Sequence, residues 1–485
     1  MPDALSVIVL AAGGGTRMRS RTSKLLHAVG GRTLVGHALS AIQAVGPDHV
    51  AVVVGHAREQ VEPHVVQLAP EAVTGVQHEQ LGTGHAVQVG VDALGPAALS
   101  AGTTVLVTYG DVPLLSPETL RALVDDHVAA ERAVSVLTAD LPDPTGYGRI
   151  VRGPGGDVER IVEQRDATPE EQALREVNSG IYALDATFLV DALGRIGNDN
   201  AQGEYYLTDV VAIARADGLP VGAHRTDDAW QTEGVNDRTQ LAAVGAELNR
   251  RLLDTWMRAG VTVVDPGSTW VDVGVVLEPD VTLLPGTQLH GATEVASGAT
   301  IGPDTTLTDV VVGPDASVVR THGSGAVIGA GATVGPFAYL RPGTELGSGG
   351  KIGTYVETKN ARIGPGAKVP HLSYVGDADV GEGSNIGAGT IVANYDGVDK
   401  HRTTVGRHCR TGSDNIFVAP VTIGDGAFTG AGTTVREDVP PGALAVSSGP
   451  QRIIEGWVAR RRPGSASDEA ARAAGPTTTE ETDPS

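Results

Sequence analysis

The chain has a single cysteine, Cys409, among 485 residues. An intrachain disulfide is therefore excluded, a cysteine-built metal site is not expected, and the natural setting is a reduced compartment, the cytoplasm. Aromatic residues make up only 4% of the chain, although hydrophobic residues as a whole, at 41%, are enough for real cores. Positive charge is also scarce: 36 Lys and Arg stand against 58 Asp and Glu, for a formal charge of −22. An acidic surface repels phosphate backbones and anionic bilayers, so neither nucleic acid nor a membrane is an expected partner. Small phosphorylated molecules are not excluded, because a few clustered cations and backbone amides suffice to hold one. No stretch approaches the roughly 18 apolar residues of a membrane span. The apolar opening Leu5 to Ala12 has no basic leader and runs into glycines, as a buried first strand does.

What is abundant is glycine, 65 residues, and its distribution divides the chain. Two or three domains are expected from the length. Up to about residue 237, short β-branched runs (Ser6–Ala11, Val50–Val54, Thr104–Tyr109, Ala133–Thr138) alternate with helix-compatible segments. That alternation predicts a Rossmann-like α/β domain, a mostly parallel sheet covered on both faces, with ligands beyond the carboxyl ends of its strands. Over 238–260 the apolar residues Leu241, Val244, Leu248, Leu252 and Trp256 share one helical face before Gly260 stops the pattern, which predicts a long linking helix.

From 261 to 460 the period changes. An aliphatic residue recurs every sixth position, as in Ile328, Val334, Leu340, Leu346 and Ile352, in units such as IGAGAT, VGPFAY and IGPGAK. Six-residue periodicity is the signature of a parallel β-helix, in which each unit forms one side of a three-sided coil and its aliphatic residue points inward. Asn394 to Arg402 break the phase and should project as a loop. The segment 461–485, rich in Pro, Ser, Thr, Ala and Glu, reads as a disordered tail.

The first strand ends in Leu10, Ala11, Ala12, Gly13, Gly14, Gly15, Thr16, Arg17, Met18, with Lys24 following. Glycines there let backbone amides face a phosphate chain, and Arg17 and Lys24 can neutralise it. The GK[ST] ending of a Walker loop is missing. LAAGGGTRM with its distal lysine resembles the signature of sugar-1-phosphate nucleotidylyltransferases. Gln77, QLGTG from Gln80, Tyr109–Gly110–Asp111, Thr145–Gly146–Tyr147–Gly148–Arg149, Glu163, Asn178 and Glu233–Gly234–Val235–Asn236 follow in the order that signature has. Joined to hexapeptide repeats, and over about residues 5 to 458, the chain resembles the bacterial bifunctional N-acetylglucosamine-1-phosphate uridylyltransferase/glucosamine-1-phosphate N-acetyltransferase family.

The resemblance implies two reactions. Glucosamine-1-phosphate is acetylated by acetyl-CoA, and the product takes UMP from UTP to give UDP-N-acetylglucosamine and pyrophosphate, a cell-wall precursor step. It also implies roles for residues. Leu10, Ala12, Gly13, Gln77, Gly82 and Thr83 would hold the nucleotide, an amide such as Gln77 suiting a uracil edge. Arg17 and Lys24 would bind the triphosphate and the developing charge. Asp111 and Asn236 would hold Mg²⁺, a hard cation that takes oxygen ligands. Tyr109, Gly110, Gly148, Glu163 and Asn178 would line the nucleotide and sugar pockets.

For the second half, His371 would be the general base, imidazole being suited to taking a proton from an attacking amine, with Glu357 orienting its ring. Arg341 and Lys359 would bind the sugar phosphate, and Tyr374 and Asn385 the glucosamine. Ala388, Asn394, Tyr395, Ser413 and Ala431 would meet acetyl-CoA. Left-handed coiling and a homotrimer through the β-helix are likewise implied by the resemblance. Two departures stand out: Ser448 lies where the family commonly has an arginine, a contact that Arg452 or Arg460–Arg462 would have to replace, and Gly14 lies where it commonly has lysine. The rival reading keeps one activity, nucleotidyl transfer, and makes the β-helix a scaffold; the residues around His371 speak against it.

Overall fold

The computed structural model describes residues 4–475, apart from 448, 450 and 452. The expectations about Ser448 and Arg452, and about 476–485, therefore fall outside the described residues.

The front half is built on a sheet whose strand order is Val221–Thr226, Val134–Asp140, Glu176–Asp185, Thr103–Tyr109, Ala4–Ala11, His49–Val54, Val73–Val76. All neighbours along this path run parallel except Glu176–Asp185, which is antiparallel to both of its partners. Because a strand buried on both faces must be apolar throughout, Val7, Ile8 and Val9 are all fully buried. Ile8 packs into one helical layer, with Val87 and Val91, and Val7 and Val9 into the other, with Leu39 and Leu123. Two central strands, Ala4–Ala11 and Thr103–Tyr109, are parallel and in register, so their carboxyl ends bring Gly13 and Asp111 to the same edge. A hairpin, Gly148–Arg152 with Val158–Val162, leans on the start of Glu176–Asp185 and closes one side of that edge.

The helix Arg238–Arg258 opens on Asp237, whose carboxylate accepts the amide of Gln240 at 2.9 Å. Its apolar face serves two cores. Leu241, Val244 and Leu248 pack with Val29, Leu34, Leu114 and Val235 of the front half, whereas Leu252, Leu253 and Trp256 seal the first coils behind.

The rear half is a parallel β-helix. Strands of two to seven residues stack in three columns, pairing Thr282 with Thr300, Leu289 with Leu307 and Val295 with Val312 from coil to coil. The sixth-position residues do point inward: Ile301, Leu307, Leu340, Ile352 and Val369 are fully buried. Between them, threonines satisfy the backbone at the corners, as Thr287 does by donating to Leu284 O at 2.7 Å. Corners are tight: at Gly291 (φ 63°) an added Cβ would lie 2.2 Å from Asp309 Oδ1 of the next coil, so only glycine fits.

Two differences from the sequence reading concern the ends of coils. The segment Asn394–Arg402 leaves the coil as expected but folds back on it, with Arg402 paired to Asp379 and a bridge between Tyr395 and Lys400. The tail, read as disordered, contains a helix, Ala466–Ala474. Ser465 caps it by accepting the amide of Asp468, and Arg472 pairs with Asp468 at 2.8 Å; alanine content and that cap outweigh the polar composition.

Candidate active sites

At the carboxyl edge of the front sheet lies a cavity of about 330 Å³ lined by Leu10, Ala12, Gly13, Lys24, Gln77, Gly82, Thr83, Tyr109 and Asp111, together with Gln80 and Glu204. A second hollow of about 310 Å³ shares Tyr109 and Asp111 and adds Arg17, Thr145, Tyr147 and Asn236. Asp111 thus stands on the wall between the two. Gly110 is placed by its amide, which donates to Leu10 O at 3.0 Å and locks the two central strand ends together.

One wall of the first cavity is made by the glycine loop and the QLGTG turn. Gln80 Nε2 donates to Ala12 O at 2.8 Å, tying the QLGTG turn to the glycine loop. Gln77 is buried, and its amide nitrogen lies 3.3 Å from Gly82 O and 3.2 Å from His85 Nδ1. Gly82 adopts φ 111°, and an added Cβ would lie 2.5 Å from Tyr205 O. Gly82→Ala is therefore expected to destabilise the turn by about 1 kcal/mol or more and to raise the KM for the nucleotide; an unchanged KM would show that the turn does not meet it.

On the other side Gly148, Glu163 and Asn178 converge: a Cβ on Gly148 would sit 3.4 Å from Glu163 Oε1 and 3.6 Å from Asn178 Cβ. Burial, with Asp166, Asp209 and Glu204 nearby, pushes the Glu163 carboxyl up. The Tyr109 ring lies against Gly180, and burial pushes its hydroxyl far up, so it stays a neutral donor.

Between the cavities, Lys24 Nζ contacts Asp111 Oδ2 and lies 3.1 Å from Asn236 Oδ1. Two oxygen donors from distant parts of the chain aim at one cationic centre. Among the described residues no group of three or more His, Cys, Asp or Glu could hold a metal, so a divalent ion here would have two protein oxygens and take the rest of its shell from phosphate and water. That donor set fits Mg²⁺.

The second set of residues lies on the β-helix. Lys368, Asn385, Arg410 and Phe428 form a ladder on successive coils. Three residues beyond each stand His371, Ala388, Ser413 and Ala431, which consequently rise up one corner. Cross-coil bonds keep the register: Gly389 N to His371 O at 3.2 Å, Asp414 N to Ala388 O at 2.7 Å and Gly432 N to Ser413 O at 2.8 Å. His371 ends the strand Lys368–His371 and is exposed.

Around that corner Arg341 and Lys359 follow one another in register, since Leu340 pairs with Thr358. Tyr374 swings over Gly376, where an added Cβ would collide with its ring. Its hydroxyl accepts from Asn394 Nδ2 at 3.4 Å, which brings the loop to the coil. Tyr395 next to it is exposed. Glu357 was expected beside the histidine ring; instead it accepts from Arg341 Nη1 at 2.9 Å. Its neighbours in the column are Tyr339 and Tyr374, so it faces the arginine one residue beyond Leu340. Sequence reasoning missed Asp377, which meets Lys359, Asn360 and Asn394, and Lys400, which lies beside Lys359. Asp377 lies in VGDADV, which reads as an ordinary unit of the repeat, so the spacing carries no signal for it.

Comparison with known proteins agrees with both halves. The family model for a MobA-like NTP transferase domain matches residues 7–174. The chain is 61% identical to the bifunctional protein GlmU of Rhodococcus opacus over 483 residues, 98% of this chain and 96% of that protein. The chain belongs to the bifunctional GlmU family. GlmU of Kineococcus radiotolerans is 59% identical over 469 residues, covering 97% of this chain and 95% of that one. GlmU of Corynebacterium efficiens is 57% identical over 473 residues, covering 97% and 96%. Like other GlmU proteins, then, the chain is a bifunctional enzyme, a uridylyltransferase and an acetyltransferase, and among its described residues no helix is long and apolar enough to cross a membrane.

Proposed function

We propose that the two clusters are the two active sites of one reaction sequence, in a cytoplasmic homotrimer joined through the β-helix. Residues 1–237 carry uridylyl transfer, 238–260 link, and 261–460 carry acetyl transfer. The observation that carries the reading is the coincidence of two complete constellations in one chain, one at a sheet edge and one along a coil corner.

In the rear site, Arg341 and Lys359 hold the phosphate of glucosamine-1-phosphate, and Tyr374 and Asn385 hold the sugar. Its amine attacks the thioester carbonyl of acetyl-CoA, His371 takes the proton, the C–S bond breaks and the CoA thiol leaves. At about 4.8 Å per coil, the corner from His371 through Ala388 and Ser413 to Ala431 spans roughly 14 Å. That length supports an extended acetyl-CoA arm lying along it, with Asn394 and Tyr395 over the reacting end.

In the front site, Ala12, Gly13, Gln77, Gly82 and Thr83 hold the uridine nucleotide, and Gly148, Glu163 and Asn178 the N-acetylated sugar. A phosphate oxygen of the sugar attacks the α-phosphorus of UTP, a new P–O bond forms and pyrophosphate departs. Two anions must meet, so positioning and charge neutralisation dominate, and Arg17 and Lys24 supply cations from the two hollows. Asp111 and Asn236 would hold Mg²⁺, which when bound screens the phosphates.

The test is to supply glucosamine-1-phosphate, acetyl-CoA, UTP and Mg²⁺ and to follow free thiol and pyrophosphate separately. Both are expected, and pyrophosphate should require either acetyl-CoA or preformed N-acetylglucosamine-1-phosphate. No thiol release from glucosamine-1-phosphate and acetyl-CoA, while N-acetylglucosamine-1-phosphate still yields pyrophosphate, would reduce the β-helix to a scaffold.

A further inference from the structure

The phosphate-binding cations of the rear site have a counter-ion of their own. Lys359 Nζ lies 3.7 Å from Asp377 Oδ2, and Asp377 Oδ1 accepts from Asn360 Nδ2 at 2.7 Å. Its second oxygen also accepts from Asn394 Nδ2, at the root of the projecting loop. Asp377 is 8% exposed and sits at φ 48°, a conformation an aspartate tolerates better than most residues but still at a cost. The carboxylate thus meets Lys359, its chain neighbour Asn360, and Asn394 at the loop root.

On this geometry, and resting on the acetyltransferase reading above, we infer that Asp377 is a positioning residue for the sugar phosphate: it aims Lys359 and anchors, through Asn394, the root of the loop that carries Lys400. Lys359 and Lys400 lie side by side; Lys359 pushes the Lys400 ammonium down, and Asp377 and Tyr374 oppose this. Burial alone would raise the Asp377 carboxyl, but Asn360, Asn394, Lys359 and Lys400 more than offset that and hold it below the usual carboxylate range. One buried anion therefore faces Lys359 and opposes the loss of charge at Lys400 beside it. The same side chain pins Asn394, so the phosphate cradle and the loop root are set by one group. Arg402, the other charged group that Asp377 reaches, is held by Asp379 at 2.6 Å and does not compete.

The sign of the effect is fixed. Without the carboxylate the Lys400 ammonium keeps Lys359 beside it and loses its opposing anion, so its pKa falls further and a larger share is neutral as pH rises. Phosphate affinity should then decline with pH where the native protein's does not.

The experiment uses the full-length chain and its Asp377→Asn variant. The KM for glucosamine-1-phosphate, the KM for acetyl-CoA and kcat are measured from pH 7 to pH 9, with uridylyl transfer as the folding control. The expected result is a KM for glucosamine-1-phosphate raised about tenfold at pH 7 and climbing further towards pH 9, with kcat changed far less. Adding Lys400→Gln to Asp377→Asn removes one of the repelling cations and should flatten the pH dependence while KM stays high. A pH-independent loss shared equally by both KM values and kcat would overturn the assignment and leave Asp377 a structural residue of the turn. If the native chain releases no thiol with glucosamine-1-phosphate but does with another amine, the acetyltransferase substrate is wrong; the pH dependence of inorganic phosphate binding, followed by calorimetry, then decides the role of Asp377 separately.

Discussion

Replacing His371 by alanine is expected to cut acetyl transfer by roughly 10²–10⁴-fold, the range for a general base, and to leave uridylyl transfer at its native rate. The asymmetry follows from placement. His371 is the exposed last residue of a strand on the coil and lines neither of the front cavities, whose residues run from Leu10 to Gln240. Truncating an exposed ring removes little packing, so the coil should remain intact, its inward neighbour Val369 being untouched. The measurement is thiol release with glucosamine-1-phosphate, beside pyrophosphate release with N-acetylglucosamine-1-phosphate. Loss of both would mean that the variant had unfolded, and retention of both would remove the histidine from the chemistry. Because Glu357 is engaged by Arg341 rather than by the ring, Glu357→Gln should act differently: it should weaken phosphate binding by freeing Arg341, without the loss of kcat that a ring-orienting carboxylate would produce.

The contrast between His371 and Glu357 marks what the sequence made legible. The hexapeptide period fixes which residues face inward, because a coil with one aliphatic residue per side has no alternative core, and Ile352 or Val369 could be placed from spacing alone. The glycine loop likewise reads as a strand end, since Leu10 and Tyr109 terminate parallel neighbours whose apolar runs are continuous. Spacing says nothing about the directions of long side chains across coils. Arg341 and Glu357 are 16 residues apart in sequence and meet because they stand on adjacent coils. Asp377 was missed for the same reason: its partners Lys359, Asn360 and Asn394 come from the coils on either side, and only the rise of the helix brings them together. The loop Asn394–Arg402 was visible as a break in period, but its return onto Asp379 depends on an ion pair that no period encodes. The helix Ala466–Ala474 shows the converse error, a composition read as disorder in which local capping decides the outcome.

Asp111→Ala should reduce uridylyl transfer by at least about a hundredfold and leave acetyl transfer unchanged. Two effects combine, and they can be separated. Lys24 and Asp111 form a largely buried pair, with side-chain exposures of 9% and 17%. Removing the carboxylate leaves the ammonium with Asn236 Oδ1 at 3.1 Å as its remaining partner, which costs the front half stability. It also removes one of the two oxygens aimed at the point where a divalent ion would sit, so the Mg²⁺ concentration required should rise as the rate falls. Asp111→Asn keeps the shape and an oxygen but loses the charge. It should fold nearly as well as the native chain and still require much higher Mg²⁺ for pyrophosphate release. Lys24→Ala should do the opposite: it frees both oxygens, so the requirement for Mg²⁺ should persist while kcat falls because a cation facing the phosphates is gone. Rates measured against Mg²⁺ concentration for the three variants therefore distinguish a metal ligand from a stabilising ion pair. If Asp111→Asn showed the native Mg²⁺ dependence at an unaltered rate, Asp111 would serve only to hold Lys24.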